Sequence, residues 1–231
     1  MVLFKSPIKA RPSTSAQKTT KTEKESATYR AQFQLHVMRG LFGKSSPPVV
    51  LLQMGDVRLR LKSLPLSKSE LGAPETRRQI ELLWSAMDAE SQGSESVAVG
   101  LAAPQMGWLK RVVALRSDPL PRTTMINPVL RLHKPEEKIL MEESCVSVRG
   151  LAGPVVRHRH VAVDYLDEEG AARRLRCSGW YAGLVQHELD HLEGVLFVDR
   201  VNPKDLAFIA QWDRSRYPTL ANSEDGTFDF A

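Results

Sequence analysis

The fold of this chain depends on the stretch Gln186-His187-Glu188-Leu189-Asp190-His191-Leu192-Glu193-Gly194. It follows an apolar-patterned run that begins at Trp180, and it ends in a glycine, which favours the C-terminus of a helix. Residues four apart on a helix share one face, so His187 and His191 point the same way and can bind one metal ion. Glu188 then corresponds to the acid/base of an H-E-x-x-H site, which acts on metal-bound water.

Two surface histidines on either side of a glutamate are the alternative interpretation of this pattern. The metal interpretation needs a third protein ligand, which the motif itself does not contain. Metallopeptidases take that ligand from a later Glu, His or Asp. A suitable ligand elsewhere in the chain would therefore favour the metal interpretation.

The composition permits one sizeable folded core. The chain has 231 residues, of which 42% are hydrophobic, and this suits one large domain or one domain with an extension. The sequence contains no run of about 18 apolar residues, so it predicts no membrane span. Two cysteines, Cys145 and Cys177, are too few for a disulfide framework, and we expect reduced thiols.

The net charge of +5 is distributed unevenly along the chain. Residues 1–46 contain nine basic and two acidic residues, a balance of +7, so the remaining residues carry −2. The basic character therefore belongs to the N-terminal segment. We expect no direct nucleic-acid binding by the rest of the chain.

The charge and composition predict three segments. Residues 1–46 form a basic, Ser/Thr-rich N-terminal extension whose early part lacks acidic residues, as in an organelle transit peptide. A disordered basic tail without a targeting role is the alternative. Residues 47–213 form the folded domain, and residues 214–231 form a polar C-terminal tail.

Hydrophobic periodicity predicts a mixture of strands and helices in the folded domain. A strand is expected at 49–54, a helix starting at Pro74 and a buried strand at 111–115. A hairpin is expected to lead into the His-bearing helix. The remaining predicted elements are hairpin strands at 155–166 and 171–177, a short strand at 196–198 and a last helix from 202 to 212.

Two other stretches have residues suited to chemistry. Residues 97–107 are rich in small side chains, which let backbone approach a ligand closely, and they include Gln105. A tight core strand with a surface glutamine would explain that stretch equally well. Cys145 is the candidate third ligand, because a thiolate joins two imidazoles well on a divalent transition metal. Taken alone, it would more commonly be an inert buried thiol.

Three stretches together resemble the peptide deformylases. They are Gly100-Leu101-Ala102-Ala103-Pro104-Gln105, Glu143-Ser144-Cys145-Val146-Ser147 and His187-Glu188-Leu189-Asp190-His191, which match the three motifs of the family in order and spacing. The resemblance extends from about Val50 to Val201. Met54-Gly55-Asp56 and Ser178-Gly179-Trp180 look like the mitochondrial branch of the eukaryotic enzymes.

The resemblance implies an α+β fold with antiparallel β-sheets wrapped around a central helix that carries the H-E-x-x-H motif. It implies a metallohydrolase that removes the formyl group from N-formylmethionine on newly made polypeptides and releases formate. By the same match, Cys145, His187 and His191 are metal ligands and Glu188 is the catalytic acid/base. The ion implied is Fe²⁺ in the cell, with Zn²⁺, Ni²⁺ or Co²⁺ as possible substitutes.

The resemblance also implies a cellular setting. We expect a protein of the mitochondrial matrix that acts on N-formylmethionyl nascent chains near an organellar ribosome. A monomer and a homodimer are both compatible with the sequence.

The chemistry of these residue types fits the implied role. Three protein ligands leave a fourth position for water, as in a catalytic metal site. Glu188 would accept a proton from that water and pass it to the leaving amine. The Gln105 side-chain amide and the Val146 backbone N–H would donate hydrogen bonds to the oxyanion.

Substrate binding is expected from backbone and from one apolar pocket. Gly100 and the residues around Ser144 would pair with an extended peptide, as an added β-strand does. Val99, Trp180 and Leu184 would surround the methionine side chain. Core packing is the alternative role for these three side chains.

The sequence departs from the family pattern at several positions. The family usually has glycine where Ala98 and Ser144 stand, and a side chain there would narrow the cleft or strain the backbone. The usual basic residue of the substrate groove has no counterpart at its equivalent position, and either Arg149 or Arg157 would substitute for it. Glu143 is expected to pair with Arg157 as a brace behind the metal site.

Two rival functions follow from these patterns. One is a zinc peptidase of another family, which the order of Gln105 and Cys145 before the helix disfavours. The other is a catalytically weak or silent deformylase homologue that binds nascent chains or a partner, which the departures at Ala98 and Ser144 keep open.

Overall fold

A computed structural model describes residues 49–91, 99–117, 119–221 and 225–230. The predicted transit peptide, residues 1–46, lies outside this range, as does Ala98. The transit peptide and the effect of Ala98 on the cleft therefore remain predictions from the sequence. The boundaries proposed for the folded domain and its C-terminal tail also remain predictions.

The described chain is a mixed α/β structure with one mainly antiparallel sheet and few helices. The described residues form eight strands: β1 Gly100–Ala102, β2 Val112–Ser117, β3 Leu120–Cys145, β4 Val148–Leu166, β5 Ala172–Ser178, β6 Ala207–Phe208, β7 Leu220–Ala221 and β8 Phe228–Phe230. They form one sheet in the order β1-β2-β3-β4-β5-β8, with β6 paired to β4 and β7 paired to β3. Only the β3–β7 pairing among these is parallel.

The long hairpin of β3 and β4 forms the middle of the sheet. Its two strands are joined by the turn Val146–Ser147, across which Cys145 pairs with Val148. Strand β3 runs as one strand with register shifts along its length. The hairpin therefore presents Cys145 and Val146 at its closed end.

Two helices pack on the sheet. Helix α1, Pro74–Ser91, begins where the sequence predicted and buries one apolar face. Helix α2, Gly179–Leu192, is buried over most of its length, and Gly194, two residues after its end, has a left-handed backbone. The backbone N–H groups of Gly194 and Val195 donate to carbonyls of α2, as in a Schellman cap. Among the described helices, none is both long and apolar enough to span a membrane.

Three element predictions are wrong. Residues 49–54 form an irregular segment that bonds to backbone outside the sheet. The strand expected at 196–198 is instead a 3₁₀ turn, Phe197–Asp199, because Leu196 and Phe197 fill a small core without alternating sides. The last helix is absent, and residues 202–212 contain only β6 and a 3₁₀ turn, Ile209–Gln211.

Part of the segment predicted as a polar tail belongs to the sheet. Strand β8 pairs antiparallel with β5, and Phe228 packs against Tyr181 of α2 with ring centroids 5.1 Å apart. The apolar side chains of Phe228–Phe230 give this short segment a face to bury despite its polar surroundings.

Candidate metal centre

Three potential metal ligands meet where the β3–β4 turn lies against α2. Cys145 is the last residue of β3, and His187 and His191 lie on successive turns of α2 with ring centroids 5.0 Å apart. One ligand atom from each of the three residues lies within 4.8 Å of the others. The Cys145 Sγ atom is 3.4 Å from His191 Nε2.

The distance between Cys145 Sγ and His191 Nε2 fits two ligands of a tetrahedral metal site. Metal–sulfur and metal–nitrogen bonds of about 2.3 and 2.0 Å separate neighbouring ligands by about 3.3 to 3.6 Å. A thiolate and two imidazoles are donors that divalent transition metals accept. The cluster of Cys145, His187 and His191 can therefore hold a metal ion.

The ring of His187 is oriented by a buried carboxylate. His187 Nδ1 donates to Glu143 Oε2 at 2.8 Å, which leaves its Nε2 atom for a metal. Both oxygens of Glu143 accept from Arg157, at 2.7 and 2.9 Å. Arg157 also donates to Asp190, which a second arginine, Arg200, holds from the surface side.

The predicted pair of Glu143 and Arg157 is therefore present, and it is buried. The two residues are only 5% and 4% exposed. Burial acts to raise the pKa of the Glu143 carboxyl, but hydrogen bonds and charge interactions with His187 and Arg157 lower it to about 2. Glu143 is thus an ionised acceptor for the His187 ring.

The carboxylate of Glu188 is buried beside β1. The residue is 3% exposed, and its Oε2 atom has no hydrogen-bond partner within the described part of the chain. Burial is the main cause that raises the pKa of this carboxyl to about 7. A carboxyl with such a pKa can accept and return a proton near neutral pH.

Gln105 is held by its side-chain carbonyl so that its amide nitrogen faces the hairpin turn. Its Oε1 atom accepts from the Ala102 backbone N–H at 2.8 Å. Its Nε2 atom donates to Ser147 Oγ at 3.2 Å and lies 3.5 Å from Cys145 Sγ. The residue is 1% exposed, so this orientation is fixed by packing as well.

A cleft of about 560 Å³ opens beside the cluster. Helix α2, strand β1 and the β3–β4 turn form its walls, and most of the residues that the sequence singled out line it. They are Val99, Gly100, Gln105, Ser144, Cys145, Val146, Trp180, Leu184, His187 and Glu188. His191 is not part of the lining and is buried behind it.

Sequence reasoning missed several residues of the cleft. Gly183 lies one turn before His187 on α2, so helical spacing could have identified it. Met141 lies on β3, two residues before Glu143 and four before Cys145, so strand alternation could have identified it. Glu90, at the end of α1, has no such signal in the sequence.

Two of the departures from the family pattern, at Ser144 and at the basic residue of the groove, concern described residues. Ser144 is exposed at the cleft and, unlike Asn127 and Lys134, does not have a positive φ. Its backbone is therefore free of that strain. Of the two candidate basic residues, Arg149 lines the cleft, where it donates to Glu90 at 2.7 Å. Arg157 is buried behind the metal ligands.

Comparison with known proteins gives consistent results. The family model of polypeptide deformylase matches residues 49–207. The mitochondrial peptide deformylase of Homo sapiens is 31% identical over 199 residues, which cover 78% of this chain and 79% of that protein. A Picosynechococcus peptide deformylase is 37% identical over 164 residues, 68% of this chain and 81% of that protein. The crystal structure of a Synechococcus elongatus peptide deformylase in complex with actinonin has a TM-score of 0.61 and 34% identity, covering 71% of this chain and 84% of that chain.

Proposed function

Because this chain belongs to the polypeptide deformylase family and is thus a hydrolase, we propose that it deformylates N-formylmethionine at the start of newly made polypeptides. The products are formate and a free N-terminal amine. One observation carries this proposal: two potential metal ligands, Cys145 and His187, line one cleft with the buried Glu188, and the third, His191, lies directly behind them.

In this proposal, Cys145, His187 and His191 would hold one divalent metal ion, and that ion would supply the Lewis acid that activates a water molecule. The distances between their ligand atoms support this assignment. The donor set suits Fe²⁺, Zn²⁺, Ni²⁺ and Co²⁺ alike. Fe²⁺ is our choice for the ion in the cell, on the basis of family resemblance.

Glu188 is the proposed catalytic acid/base. Its carboxylate accepts a proton as water attacks the formyl carbon, and it returns that proton to the amine nitrogen as the C–N bond breaks. The absence of a hydrogen-bond partner for Oε2 among the described residues supports this role, because the atom is free to take the proton.

Gln105 and Val146 are the proposed oxyanion donors. The Gln105 Nε2 atom and the Val146 backbone N–H would donate to the formyl oxygen as negative charge develops there. The anchoring of Gln105 Oε1 by Ala102 supports this role, since it directs the amide nitrogen towards Cys145.

The cleft has separate places for peptide backbone and for one side chain. Gly100 lies on β1, an end strand of the described sheet, so an extended peptide can add along its outer edge near Ser144. Val99, Trp180 and Leu184 would surround the methionine side chain. Their shared position in the lining of the cleft supports this arrangement.

The wider setting is also proposed. We take α2 to be the central helix of the fold, residues 47–213 to be the catalytic domain and residues 1–46 to be a transit peptide for the mitochondrial matrix. The basic extension and the likeness to the human mitochondrial protein support the location. N-formylmethionyl nascent chains near an organellar ribosome would be the partners, bound by a monomer or a homodimer.

Formate release tests the proposal directly. Protein loaded with Fe²⁺ without oxygen should release formate from a formyl-Met-Ala-Ser peptide and leave its internal peptide bonds intact. Cleavage of those bonds would indicate a peptidase of another kind. Binding of the peptide without formate release would indicate a silent homologue.

The variant Glu188→Gln distinguishes an enzyme from a homologue that only binds peptides. An enzyme should lose about 100- to 10,000-fold in kcat because the acid/base is gone, while its affinity for the formyl peptide is kept. The parent and this variant would behave alike if the chain only bound peptides.

A further inference from the structure

Three consecutive residues near the start of the described chain bond to the elements that hold the proposed oxyanion donors. The bonds run from the Leu52 N–H to the Gln105 carbonyl at 2.7 Å, from Gln53 Nε2 to the Val146 carbonyl at 2.9 Å and from the Met54 N–H to the Ser147 carbonyl at 2.7 Å. The segment therefore joins the 3₁₀ turn of Gln105 to the β3–β4 turn. Gln53 and Val146 are 93 residues apart in the sequence.

A further bond closes these contacts into a ring. Gln105 Nε2 donates to Ser147 Oγ at 3.2 Å, so the Gln105 side chain, the β3–β4 turn and the segment Leu52–Met54 are mutually connected. Hydrogen bonds in such a ring restrain one another, because no member can move without straining a second bond.

The β3–β4 turn needs this support. Val146 and Ser147 lie between the last residue of β3 and the first of β4, so the ladder of the sheet does not hold them. The direction of the Val146 N–H therefore depends on contacts from outside the hairpin. Gln53 bonds the carbonyl of that same residue, and this bond restricts the φ and ψ angles that join the Val146 carbonyl to the Val146 N–H.

The hydrogen bond of Gln53 differs in its donor group from the hydrogen bonds of Leu52 and Met54. Leu52 and Met54 donate through backbone N–H groups, which persist when their side chains change. Gln53 donates through its side chain, so a substitution can remove this bond alone. The same amide also lies 3.3 and 3.4 Å from the carbonyls of Leu51 and Leu52, but its bond to Val146 is the shortest of the three.

The exposure of Gln53 indicates that its side chain affects the reaction more than the stability of the fold. The residue is exposed, so its bond should contribute little to the free energy of unfolding. A small change in the direction of an oxyanion donor, by contrast, acts directly on the rate. Loss of the amide should therefore lower kcat without destabilising the protein.

We propose that Gln53 is a positioning residue, whose side-chain amide holds the Val146 carbonyl and thereby aims the Val146 N–H at the formyl oxygen. This inference rests on the proposed function. It adds to that function a contact from a distant part of the chain, in the segment that the sequence suggested was a simple strand.

Three substitutions test the inference by steady-state kinetics on a formyl-Met-Ala-Ser peptide. Gln53→Ala and Gln53→Met remove the donor, and Gln53→Asn shortens the side chain so that its amide falls short of Val146. Each should lower kcat by about 5- to 10-fold while KM changes by less than about twofold. Gln79→Ala is the matched control, because Gln79 is bonded to Glu75 on α1 and lies outside the cleft lining.

Amide hydrogen exchange gives a second measurement that does not require activity. The Val146 amide should exchange at least about fivefold faster in Gln53→Ala, and it should be unchanged in Gln79→Ala. The melting temperature and metal content should match those of the parent. Unchanged kcat would overturn the inference whether or not exchange increases.

A fall in kcat accompanied by a lower melting temperature or lost metal would also overturn it, because the residue would then act on the fold. Failure of the proposed function gives a different result, since the parent itself would release no formate. The inference would fall with it, even if exchange still showed that Gln53 restrains Val146.

Discussion

Gly100 lies directly against the carboxylate of Glu188. A β-carbon built on Gly100 would be 2.4 Å from Glu188 Oε1 and 2.7 Å from its carboxyl carbon. A side chain at this position would force the carboxylate of Glu188 to move. The glycine thus acts on the candidate site through close approach, since its φ is not positive.

The first prediction concerns this contact. Gly100→Ala should lower kcat/KM for a formyl-Met peptide by at least about 100-fold, because Glu188 must move by a distance that matters to proton transfer. Steady-state formate release measures it. Gly150→Ala is the control: it sits at φ +82° with open space around it, so it adds backbone strain without displacing Glu188. Equal losses in both variants would contradict the prediction.

The second prediction concerns the buried charges behind His187. Arg157→Met leaves Glu143 and Asp190 without their shared partner, which should cost about 3 to 5 kcal/mol of the free energy of unfolding. The affinity for Co²⁺ should fall by about 10- to 100-fold, because Glu143 no longer fixes the His187 ring. Denaturant unfolding and chelator competition measure the two effects.

Arg174→Met is the matched control for that variant. Arg174 pairs with Asp164 on the exposed face of the sheet, and we expect metal affinity close to that of the parent. An unchanged Co²⁺ affinity in Arg157→Met would argue that Glu143 orients His187 without help from Arg157.

The third prediction concerns Cys177 and pH. Burial raises the pKa of this thiol to about 12, and the thiolate is the form that reacts. At pH 8 the thiolate fraction is thus about one in 10,000 in the folded protein, against about a quarter for an ordinary thiol. Iodoacetamide should leave Cys177 unmodified between pH 7 and 9 and should label it readily in denaturant. Peptide mapping by mass spectrometry would reveal any fast labelling of the folded protein.

The fourth prediction concerns the C-terminal segment. Gly179 has φ +59°, and a β-carbon there would be 1.5 Å from the Asp225 carbonyl oxygen. Gly179→Ala should destabilise the protein by at least about 2 kcal/mol, from backbone strain and displaced packing together. In a chain that ends at Ala221 the same substitution should cost less, because its steric partner is gone. Denaturant unfolding of the four proteins gives the coupling, and equal costs in both backgrounds would show that Asp225 does not matter.

Local patterns predicted much of this structure. The periodic apolar residues after Pro74 predicted α1. The alternation of apolar and polar residues on both sides of Asp167–Gly170 predicted the hairpin of β4 and β5. These predictions succeed because each depends on residues close in sequence. The apolar pattern of the segment 49–54 also suits a strand locally, but among the described residues it bonds to the carbonyls of Gln105 and Ser147 and pairs with no strand.

The sequence alone determined the relation of His187, Glu188 and His191, because helical spacing fixes which side chains share a face. Family resemblance implied that Cys145 joins the two histidines, but only the tertiary structure brings it to His191 across 46 positions. Only the tertiary structure decided that Arg157 is buried while Arg149 lines the cleft, and that Gln53 bonds Val146. Those contacts depend on the register of the whole β3–β4 hairpin and on how its turn meets α2. Spacing along the chain carries no information about that meeting, since many distant residues compete for the same position and packing selects among them.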